Sequence, residues 1–339
     1  MTDSAPRSLT ELDELLSAPS DVVVRALAAC PGDIVVLGAG GKMGPTLTRM
    51  IVRAAGVERR VFAVSRFGSA DAEAAVRAAG AEPLRCDLLD ASAVAELPDA
   101  PNVFFLAGQK FGTTDALDVL WAMNVTVPEI CAQRYATSRI VAFSTGNVYP
   151  LMPATGGGAK ESDPTGPVGA YAESCLARER VFEAAALRGA RVAVVRLNYA
   201  NALTYGVLTD LAVRVIRGEP INLTMGFVNV IWQGDANRAA VELLAHASSP
   251  ALTMNVTGRD VLRVRDLATA LGAHLGKAPV FEGTEAPDAL LSDAARMTSL
   301  LSAPQVSVDT MLDWVASWVS SGAPLLGKPT RFQVRDGKF

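Results

Sequence analysis

Short apolar segments rich in β-branched residues alternate with helical segments along the first 200 residues of this chain. The candidate strands are 34–37, 61–64, 83–86, 103–106, 140–143 and 192–197, and the helical segments between them are 43–56, 71–79, 114–135 and 169–188. Consecutive parallel strands need crossover connections, and helices usually provide them. The alternation therefore predicts a parallel sheet with helices on both faces.

The rhythm of the sequence changes beyond about residue 200. Helical segments follow at 205–218, 235–247, 263–275 and 307–320, with short apolar pieces at 221–223, 227–231 and 279–281. Residues 9–28 form one or two further amphipathic helices before the first strand. The predicted fold class is α/β: a doubly wound parallel sheet with a smaller mixed α/β cap towards the C-terminus.

Composition excludes several classes of partner. Half of the 339 residues are hydrophobic, the formal net charge is −4, and no block of lysine and arginine is present, which argues against nucleic acid and against an anionic membrane. The four cysteines are scattered without a CxxC pair, which predicts reduced thiols and a cytoplasmic location. No signal-peptide pattern or membrane-length apolar run is present. The two histidines are too few for a histidine-rich metal site, and we expect no metal.

A glycine-rich turn, GAGGKMG at 38–44, lies between the first strand and the first helix of the sheet. Gly38, Gly41 and Gly44 fit the spacing GxxGxxG, and such glycines let the backbone approach a phosphate closely. The helix that follows presents free N–H groups and the positive end of its dipole to a pyrophosphate. The turn predicts a Rossmann-type dinucleotide site with contacts from Gly38, Gly40, Gly41, Lys42, Met43 and Gly44.

The second strand predicts which dinucleotide is preferred. It ends at Ser65 and Arg66, and no acidic residue follows until Asp71. An arginine pairs well with a 2′-phosphate, so we expect NADP to be preferred over NAD, although Arg66 also fits a solvated loop residue. Asp87 follows the third strand, between Cys86 and Leu88. These three residues are candidates for the adenine end of the site, and a helix-capping role for Asp87 stays open.

Two segments after the third strand contain the candidate catalytic residues. The fifth strand ends in Ser144 and Thr145, within FSTGNVYP, and a helix begins near Tyr171 in YAESCLARER. With the turn at 38–44, Asn124, the RLNYA segment at 196–200 and MNVTG at 254–258, these segments resemble the extended short-chain dehydrogenase/reductases, the NAD(P)-dependent epimerase/dehydratase family. The resemblance covers roughly residues 32–275.

The resemblance implies specific roles. Thr145, with Ser144 as the second choice, hydrogen-bonds the reacting carbonyl or hydroxyl, and Tyr171 exchanges its proton. The lysine of the family's YxxxK motif would stand at Cys175, which therefore departs from the family pattern. The implied cofactor contacts from these and neighbouring segments are Leu106, Ala107, Gly108, Asn124, Tyr171, Cys175 and Asn198.

The departure at Cys175 has a physical consequence. A cation near 4 Å, at an effective dielectric constant of about 20, is worth roughly 4 kcal/mol, or about three pKa units of tyrosine. A neutral thiol supplies none of this. Three interpretations stay open: another cation substitutes, the reaction needs no tyrosinate, or the protein binds cofactor without turnover. The first predicts that Lys110, after the fourth strand, partly replaces the lysine or holds a substrate carboxylate.

Residues at the expected mouth of the sheet are candidates for substrate binding: Lys110, Asn147, Asn198, Tyr199, Asn201 and Trp232. For Trp232, packing in the core is an equal alternative. The cap segment MGFVNVIWQ lacks the basic residue that often holds a nucleotide diphosphate in this family. Its absence favours a smaller sugar or sugar acid over a nucleotide sugar.

The expected function is an NAD(P)-dependent oxidoreductase or epimerase that transfers hydride at a sugar, polyol or sugar-acid hydroxyl. The alternative is a catalytically silent dinucleotide-binding regulator on the same fold. The expected parts are a helical extension at 1–31, a dinucleotide-binding domain at 32–200, a substrate-binding part at 201–325 interleaved with core segments, and a tail at 326–339. We also expect a homodimer through helices 114–135 and 169–188, with apolar residues Leu117, Leu120, Val125, Leu176 and Phe182.

Overall fold

The computed structural model of the protein describes residues 4–110 and 116–338. A parallel sheet of seven strands forms its centre, in the order β7-β6-β5-β4-β1-β2-β3. The strands are β1 (Ile34–Leu37), β2 (Val61–Ser65), β3 (Glu82–Arg85), β4 (Asn102–Phe105), β5 (Arg139–Thr145), β6 (Arg191–Leu197) and β7 (Leu252–Val256). The strand order reverses between β1 and β4, and ligands of such sheets bind at the carboxyl edge beside this reversal.

The predicted fold class is confirmed, and the six predicted strands of the sheet are all present. The seventh strand, β7, was not predicted as a strand because threonine and asparagine interrupt its apolar residues (LTMNV). The predicted strand 227–231 is wrong as a single element. Its halves, Phe227–Val228 and Ile231–Trp232, pair with different partners, Leu262–Arg263 and Ala200–Asn201.

Thirteen α-helices lie in the described part of the chain. They are α1 (Leu9–Leu16), α2 (Asp21–Ala28), α3 (Gly44–Ala55), α4 (Ala70–Ala78), α5 (Ala91–Ala95), α6 (Leu117–Trp121), α7 (Val127–Arg134), α8 (Ala170–Leu187), α9 (Val207–Arg217), α10 (Gln233–His246), α11 (Val264–Leu275), α12 (Ala295–Leu300) and α13 (Val308–Ser320). The predicted helix 114–135 begins outside the described residues. From Leu117 onward it is interrupted by one π-helical turn, Ala122–Thr126.

Alternate residues of the strands face two separate apolar cores. Helices α2, α3 and α10 close the core on one face of the sheet, and α5, α7 and α8 close the core on the other. A third core joins α1, α9, α11 and α13 in the cap. None of the described helices is long and apolar enough to cross a membrane.

The C-terminal tail folds back over the cap and the start of α8. The side chain of Phe332 is buried in the cap core, and Arg335 forms an ion pair with Asp288. Gly337 packs so tightly against Val168 that a Cβ added to it would lie 2.1 Å from the Val168 carbonyl oxygen. The tail therefore borders the segment that leads into Tyr171.

Candidate functional site

A cavity lies at the carboxyl edge of the sheet, between the glycine-rich turn and the cap. Its walls come from the ends of β1, β4, β5 and β6, the start of α9 and the tail. The lining residues are Gly38, Gly41, Lys42, Met43, Gly44, Leu106, Lys110, Phe143, Thr145, Asn147, Leu197, Asn198, Tyr199, Ala200, Tyr205, Gly206, Val207 and Thr330. No acidic residue is among these lining residues, although two lysines are. The cavity is therefore suited to an anionic ligand.

The surroundings of the glycines in the turn explain why some of these positions require glycine and another does not. Gly38 has a φ of +89°, and a Cβ there would lie 2.6 Å from the backbone nitrogen of Ala107. At Gly44 a Cβ would lie 2.3 Å from the carbonyl oxygen of Ala39. Gly41 is different, because its φ is ordinary and its nearest added contact is 3.2 Å. The chain itself needs Gly38 and Gly44, whereas Gly41 lines the cavity and an added Cβ there would press only on the Gly38 carbonyl oxygen.

The cation beside the turn is Lys42. Its ammonium lies 3.2 Å from the centroid of the Tyr205 ring, across the cavity in the cap. Desolvation in the cleft and the charge of Lys110 lower the pKa of Lys42 to about 7, while Asp210 opposes this shift. Helix α3 begins at Gly44 without a side-chain cap, so its first N–H groups are available next to this lysine.

Thr145 and Tyr171 form the polar pair expected from the sequence. The Thr145 hydroxyl lies 3.2 Å from both the backbone nitrogen and Oδ1 of Asn147. The Tyr171 hydroxyl shares side-chain hydrogen bonds with Cys175 and Thr145. Burial, together with the sulfur of Cys175, raises the pKa of Tyr171 well above its usual value, so the phenol keeps its proton at neutral pH.

Cys175 lies one helical turn after Tyr171 and is fully buried. Burial raises the pKa of its thiol, which therefore stays neutral at physiological pH. Its side chain packs with Val148, Tyr149 and Ala159, and the expected contact of Cys175 with the cofactor stays a prediction.

Lys110 is placed beside the tyrosine, as the sequence led us to expect. Its ammonium lies 5.4 Å from the centroid of the Tyr171 ring, and its side chain also lines the cavity. Desolvation lowers the pKa of Lys110 to about 8, and the charge of Arg331 in the tail adds to this shift. Residues 111–115, which follow Lys110 directly, lie outside the described part of the chain.

Asn124 lies in the π-helical turn and is fully buried. Its Oδ1 accepts from the backbone nitrogen of Gln109 at 2.9 Å, and its Nδ2 donates to the Gln109 carbonyl oxygen and to Ser174, each at 2.9 Å. These bonds occupy the amide, and the predicted direct contact of Asn124 with cofactor stays a prediction. The role that the structure shows is to hold the loop that carries Lys110.

Ser144 faces away from the cavity because successive side chains of a strand point to opposite faces. Its hydroxyl donates to Glu179, which forms a buried ion pair with Arg196 at 2.7 Å. Arg196 also donates to the hydroxyl of Tyr149 at 2.7 Å. Ser144 is thus held away from the cavity lining, and its catalytic role stays a prediction without support from this geometry. Sequence reasoning missed Glu179 and Arg196, although a charged residue inside the apolar strand RVAVVRL was a usable signal.

Several other predicted contacts have structural roles instead. Trp232 is 1% exposed and packs against Trp314 with ring centroids 5.4 Å apart, so the alternative of core packing is correct. Asn201 caps the start of α9, where its Oδ1 accepts from the backbone nitrogen of Leu208 at 3.1 Å. The side chains of Cys86, Leu88 and Ala107 are buried in the core of one sheet face.

The outer end of the expected dinucleotide groove is open. Arg66 and Asp87 are exposed at the ends of β2 and β3. The hydroxyl of Ser65 lies against the turn, 2.5 Å from where a Cβ of Gly40 would be. Gly108 is exposed after β4. No group of three histidine, cysteine or acidic side chains suited to a metal ion occurs among the described residues.

Comparison with known proteins gives a family match and structural likenesses. The sequence model of the NAD dependent epimerase/dehydratase family matches residues 34–278. Comparison with curated protein sequences finds no significant match.

Three similar crystal structures show the shared fold. A UDP-glucose 4-epimerase of Thermotoga maritima with UDP-glucose is 18% identical, with a TM-score of 0.70 over 86% of this chain and 99% of that one. A UDP-glucuronic acid 4-epimerase of Bacillus cereus with UDP-glucuronic acid and NAD is 15% identical, with a TM-score of 0.71 over 85% and 99%. A short-chain dehydrogenase/reductase superfamily protein of Agrobacterium tumefaciens with bound NAD is 17% identical, with a TM-score of 0.72 over 86% and 98%.

Proposed function

Because the chain belongs to the NAD dependent epimerase/dehydratase family, we propose that it is an NAD(P)-dependent oxidoreductase or epimerase of a sugar, polyol or sugar-acid hydroxyl. The observation that carries this proposal is the hydrogen-bonded pair of Thr145 and Tyr171 beside the cavity that the glycine-rich turn enters. A protein that only binds a dinucleotide has no need of this pair. The similar structures, which hold NAD and UDP-sugars, support the same reading.

The residues of the turn fit a dinucleotide. Gly41 lines the cavity without a side chain, the N-terminus of α3 presents free N–H groups, and Lys42 adds a positive charge. When bound, the nicotinamide group supplies or accepts the hydride. In the proposal Leu106 and Asn198 border its inner end, and Ser65, Arg66 and Asp87 its outer end.

Preference for NADP rests on Arg66, which is exposed where the 2′-phosphate would lie. Calorimetric titration with both dinucleotides tests it. We expect NADP to bind more tightly than NAD, and Arg66→Ala to abolish the difference. Tighter NAD binding that Arg66→Ala leaves unchanged would overturn the preference.

In the proposed mechanism, Thr145 orients the substrate oxygen and Tyr171 exchanges a proton with it. Because burial raises the pKa of Tyr171, the phenol is ready to donate a proton when a carbonyl is reduced. In the reverse direction Tyr171 must take a proton from the substrate hydroxyl, and a nearby cation assists that step by stabilising the tyrosinate. Cys175, at the position that we assign to the family lysine, is neutral and does not provide this charge.

Lys110 is proposed to act on the substrate side of the pair. Its ammonium lines the cavity and lies over the Tyr171 ring, where it can stabilise a developing oxyanion or hold an anionic group of the substrate. Asn147, Asn198 and Tyr199 line the same space and offer hydrogen bonds to hydroxyl groups. The lysines of the cavity favour a substrate with a carboxylate or phosphate.

A turnover screen tests the proposed function. Sugars, sugar acids, sugar phosphates and nucleotide sugars are mixed with the protein and each dinucleotide, and reduced nicotinamide is followed by absorbance near 340 nm. Lys110→Met should lower kcat/KM by about 100-fold. Dinucleotide binding without turnover of any compound, together with no effect of Tyr171→Phe on sugar binding, would favour the silent regulator instead.

A further inference from the structure

Arg178 carries a buried positive charge that has no acidic partner among the described residues. It lies on α8, and 6% of its surface is exposed. Its guanidinium donates to the carbonyl oxygen of Phe143 at 3.0 Å and to Oδ1 of Asn124, both neutral acceptors. Its Nε is buried without a hydrogen-bond partner. Burying a guanidinium without an acidic partner costs folding free energy. We therefore look for a group whose charge or pKa this arginine affects.

The guanidinium lies where three elements of the site meet. Phe143 is two residues before Thr145 on β5, and Asn124 holds the loop that carries Lys110. A Cβ added to Gly108, in that loop, would lie 2.4 Å from the Arg178 side chain. Contacts with β5 and with the loop after β4 therefore hold the Arg178 side chain in place, and it is not free to turn towards solvent.

Helical geometry places Arg178 behind the tyrosine. Cys175 and Arg178 are three residues apart, and Tyr171 and Arg178 are seven apart, so all three share one face of α8. The Tyr171 hydroxyl is hydrogen-bonded to Cys175, which brings the phenol oxygen towards the arginine side of the helix. Cys175 and Arg178 are both buried, so screening by water is weak on this face of α8.

We propose that Arg178 supplies, through Cys175 and from further along the same helix, the positive charge that the family's lysine would supply to Tyr171. Arg178 is a positioning residue in this assignment, since it does not line the cavity and shares one face of α8 with Cys175 and Tyr171. The inference deepens the proposed function, because it assumes that Tyr171 is the proton-exchanging group. It differs from the role of Lys110, which acts from the cavity side.

The electrostatic surroundings of Tyr171 agree with this assignment. Arg178 lowers the pKa of both Tyr171 and Cys175, against the larger effect of burial, which raises both. The nearby carboxylate of Glu179 is paired with Arg196, so its charge is largely compensated. The other groups that face the tyrosine are the Thr145 hydroxyl, the Cys175 thiol and the Lys110 ammonium.

The test measures the pKa of the residue at position 171 without substrate or cofactor. Tyr171 is replaced by difluorotyrosine, whose phenol is more acidic, and its ionisation is followed by fluorine NMR. Arg178→Gln, which removes the charge and keeps a donor, should raise this pKa by about one unit. Arg178→Lys, which keeps the charge, should leave it nearly unchanged, and so should the matched control Arg180→Met on the exposed face of α8.

A second variant keeps the test valid if Arg178→Gln does not fold. Asn124→Asp replaces the amide by a carboxylate of almost the same shape, next to the guanidinium. It should raise the pKa of the residue at 171 while Arg178 stays in place. An unchanged pKa in Asn124→Asp, or a larger shift with Lys110→Met than with Arg178→Gln, would overturn the assignment to Arg178. Because no turnover is measured, failure of this inference is distinct from failure of the proposed function.

Discussion

The surroundings of Tyr171 act on its pKa in opposite directions. Some groups favour the protonated phenol, whereas two cations favour the tyrosinate. Cys175 accepts from the Tyr171 hydroxyl and burial disfavours the tyrosinate, whereas Arg178 lowers the pKa of Tyr171 and the Lys110 ammonium lies 5.4 Å from the ring centroid. These effects on the tyrosine pKa differ from those in the family's YxxxK motif, where a lysine four residues later favours the tyrosinate. At the residue scale, the direction and pH range of the chemistry depend on this balance.

Replacing the thiol by an ammonium tests that balance directly. Cys175→Lys adds a cation next to the phenol, lowers the pKa of Tyr171, and should shift the pH profile of kcat/KM to lower pH while activity is kept or raised. The matched control, Cys175→Met, adds similar bulk without charge and should not shift the profile. Both variants overfill a buried site and should lower the thermal midpoint. Identical pH profiles for the two variants would contradict the account.

Lys42 predicts a pH dependence of dinucleotide binding. With a pKa of about 7, Lys42 is charged below that pH and loses its charge as pH rises through it, so affinity for a phosphate-bearing ligand should fall. Because its side chain keeps access to water, we expect only about a threefold loss between pH 6 and pH 8. Calorimetric titration across this range measures it. Lys42→Met should remove the dependence and Lys160→Met, in an exposed loop, should keep it; a pH-independent wild type would refute the prediction.

The sequence located part of the site, and the reason is geometric. Lys110, Thr145, Asn198 and Tyr199 each stand at or just beyond the carboxyl end of a strand, and in a parallel sheet these ends meet at one edge. Which way a side chain points depends on strand alternation and on packing against the cap. That information is missing from a linear pattern, so Ser144, Asn201 and Trp232 were assigned to the site although each is held elsewhere.

At the scale of elements, the turn between β1 and α3 contains one glycine that the fold requires and another for which we expect a role in ligand binding. Gly44 packs against the backbone of Ala39, whereas at Gly41 an added Cβ would lie near one atom, the Gly38 carbonyl oxygen at 3.2 Å. We therefore expect glycine at 41 to serve the close approach of a ligand more than the fold.

A pair of alanine substitutions tests this distinction. Gly44→Ala should lower the free energy of unfolding by roughly 1–3 kcal/mol, because a backbone carbonyl must move. Gly41→Ala should cost little stability and weaken dinucleotide binding by roughly tenfold. Thermal unfolding and calorimetry measure the two effects. A Gly41→Ala variant that loses stability and keeps its affinity would show that the turn serves only the fold.

The elements themselves were largely predictable from sequence. Strands β1, β2, β4, β5 and β6 are apolar runs that both faces of the sheet bury, so periodicity and residue type suffice. The π-helical turn at Ala122–Thr126 gave no such signal, and its Asn124 hydrogen-bonds across to Gln109 and Ser174, contacts that no linear pattern contains. The Arg178 site depends on these tertiary contacts and was likewise not predicted.

At the scale of the whole molecule, the surface of α6 bears on the predicted homodimer. Leu117, Val119 and Trp121 are exposed large apolar side chains on this helix. Leu120 and Phe182, which the sequence also suggested for the interface, are both buried, Phe182 in the core of one sheet face, and give it no support. The predicted boundaries at residues 200 and 325 stay a prediction, as does the dimer.

Light scattering tests the assembly. We expect a mass of two chains at micromolar concentration, with helices α6 and α8 at the interface. Trp121→Glu should shift the protein to monomer, because it places a charge in an apolar contact. The matched control Val280→Glu, exposed in the cap, should leave the dimer intact. A monomer mass for the unaltered protein would refute this assembly.

In the proposed reaction, Tyr171 exchanges a proton with a sugar oxygen while hydride is transferred at the carbon that bears this oxygen. Fluorescence of enzyme-bound reduced nicotinamide tests it most directly, because this signal also reports an epimerase that never releases the reduced form. On mixing the dinucleotide-loaded protein with the panel of sugars and sugar acids, we predict a rapid rise with at least one compound. The rise should be slowed by at least about 100-fold in Tyr171→Phe. An equal rise in Tyr171→Phe, or none with any compound, would contradict the account.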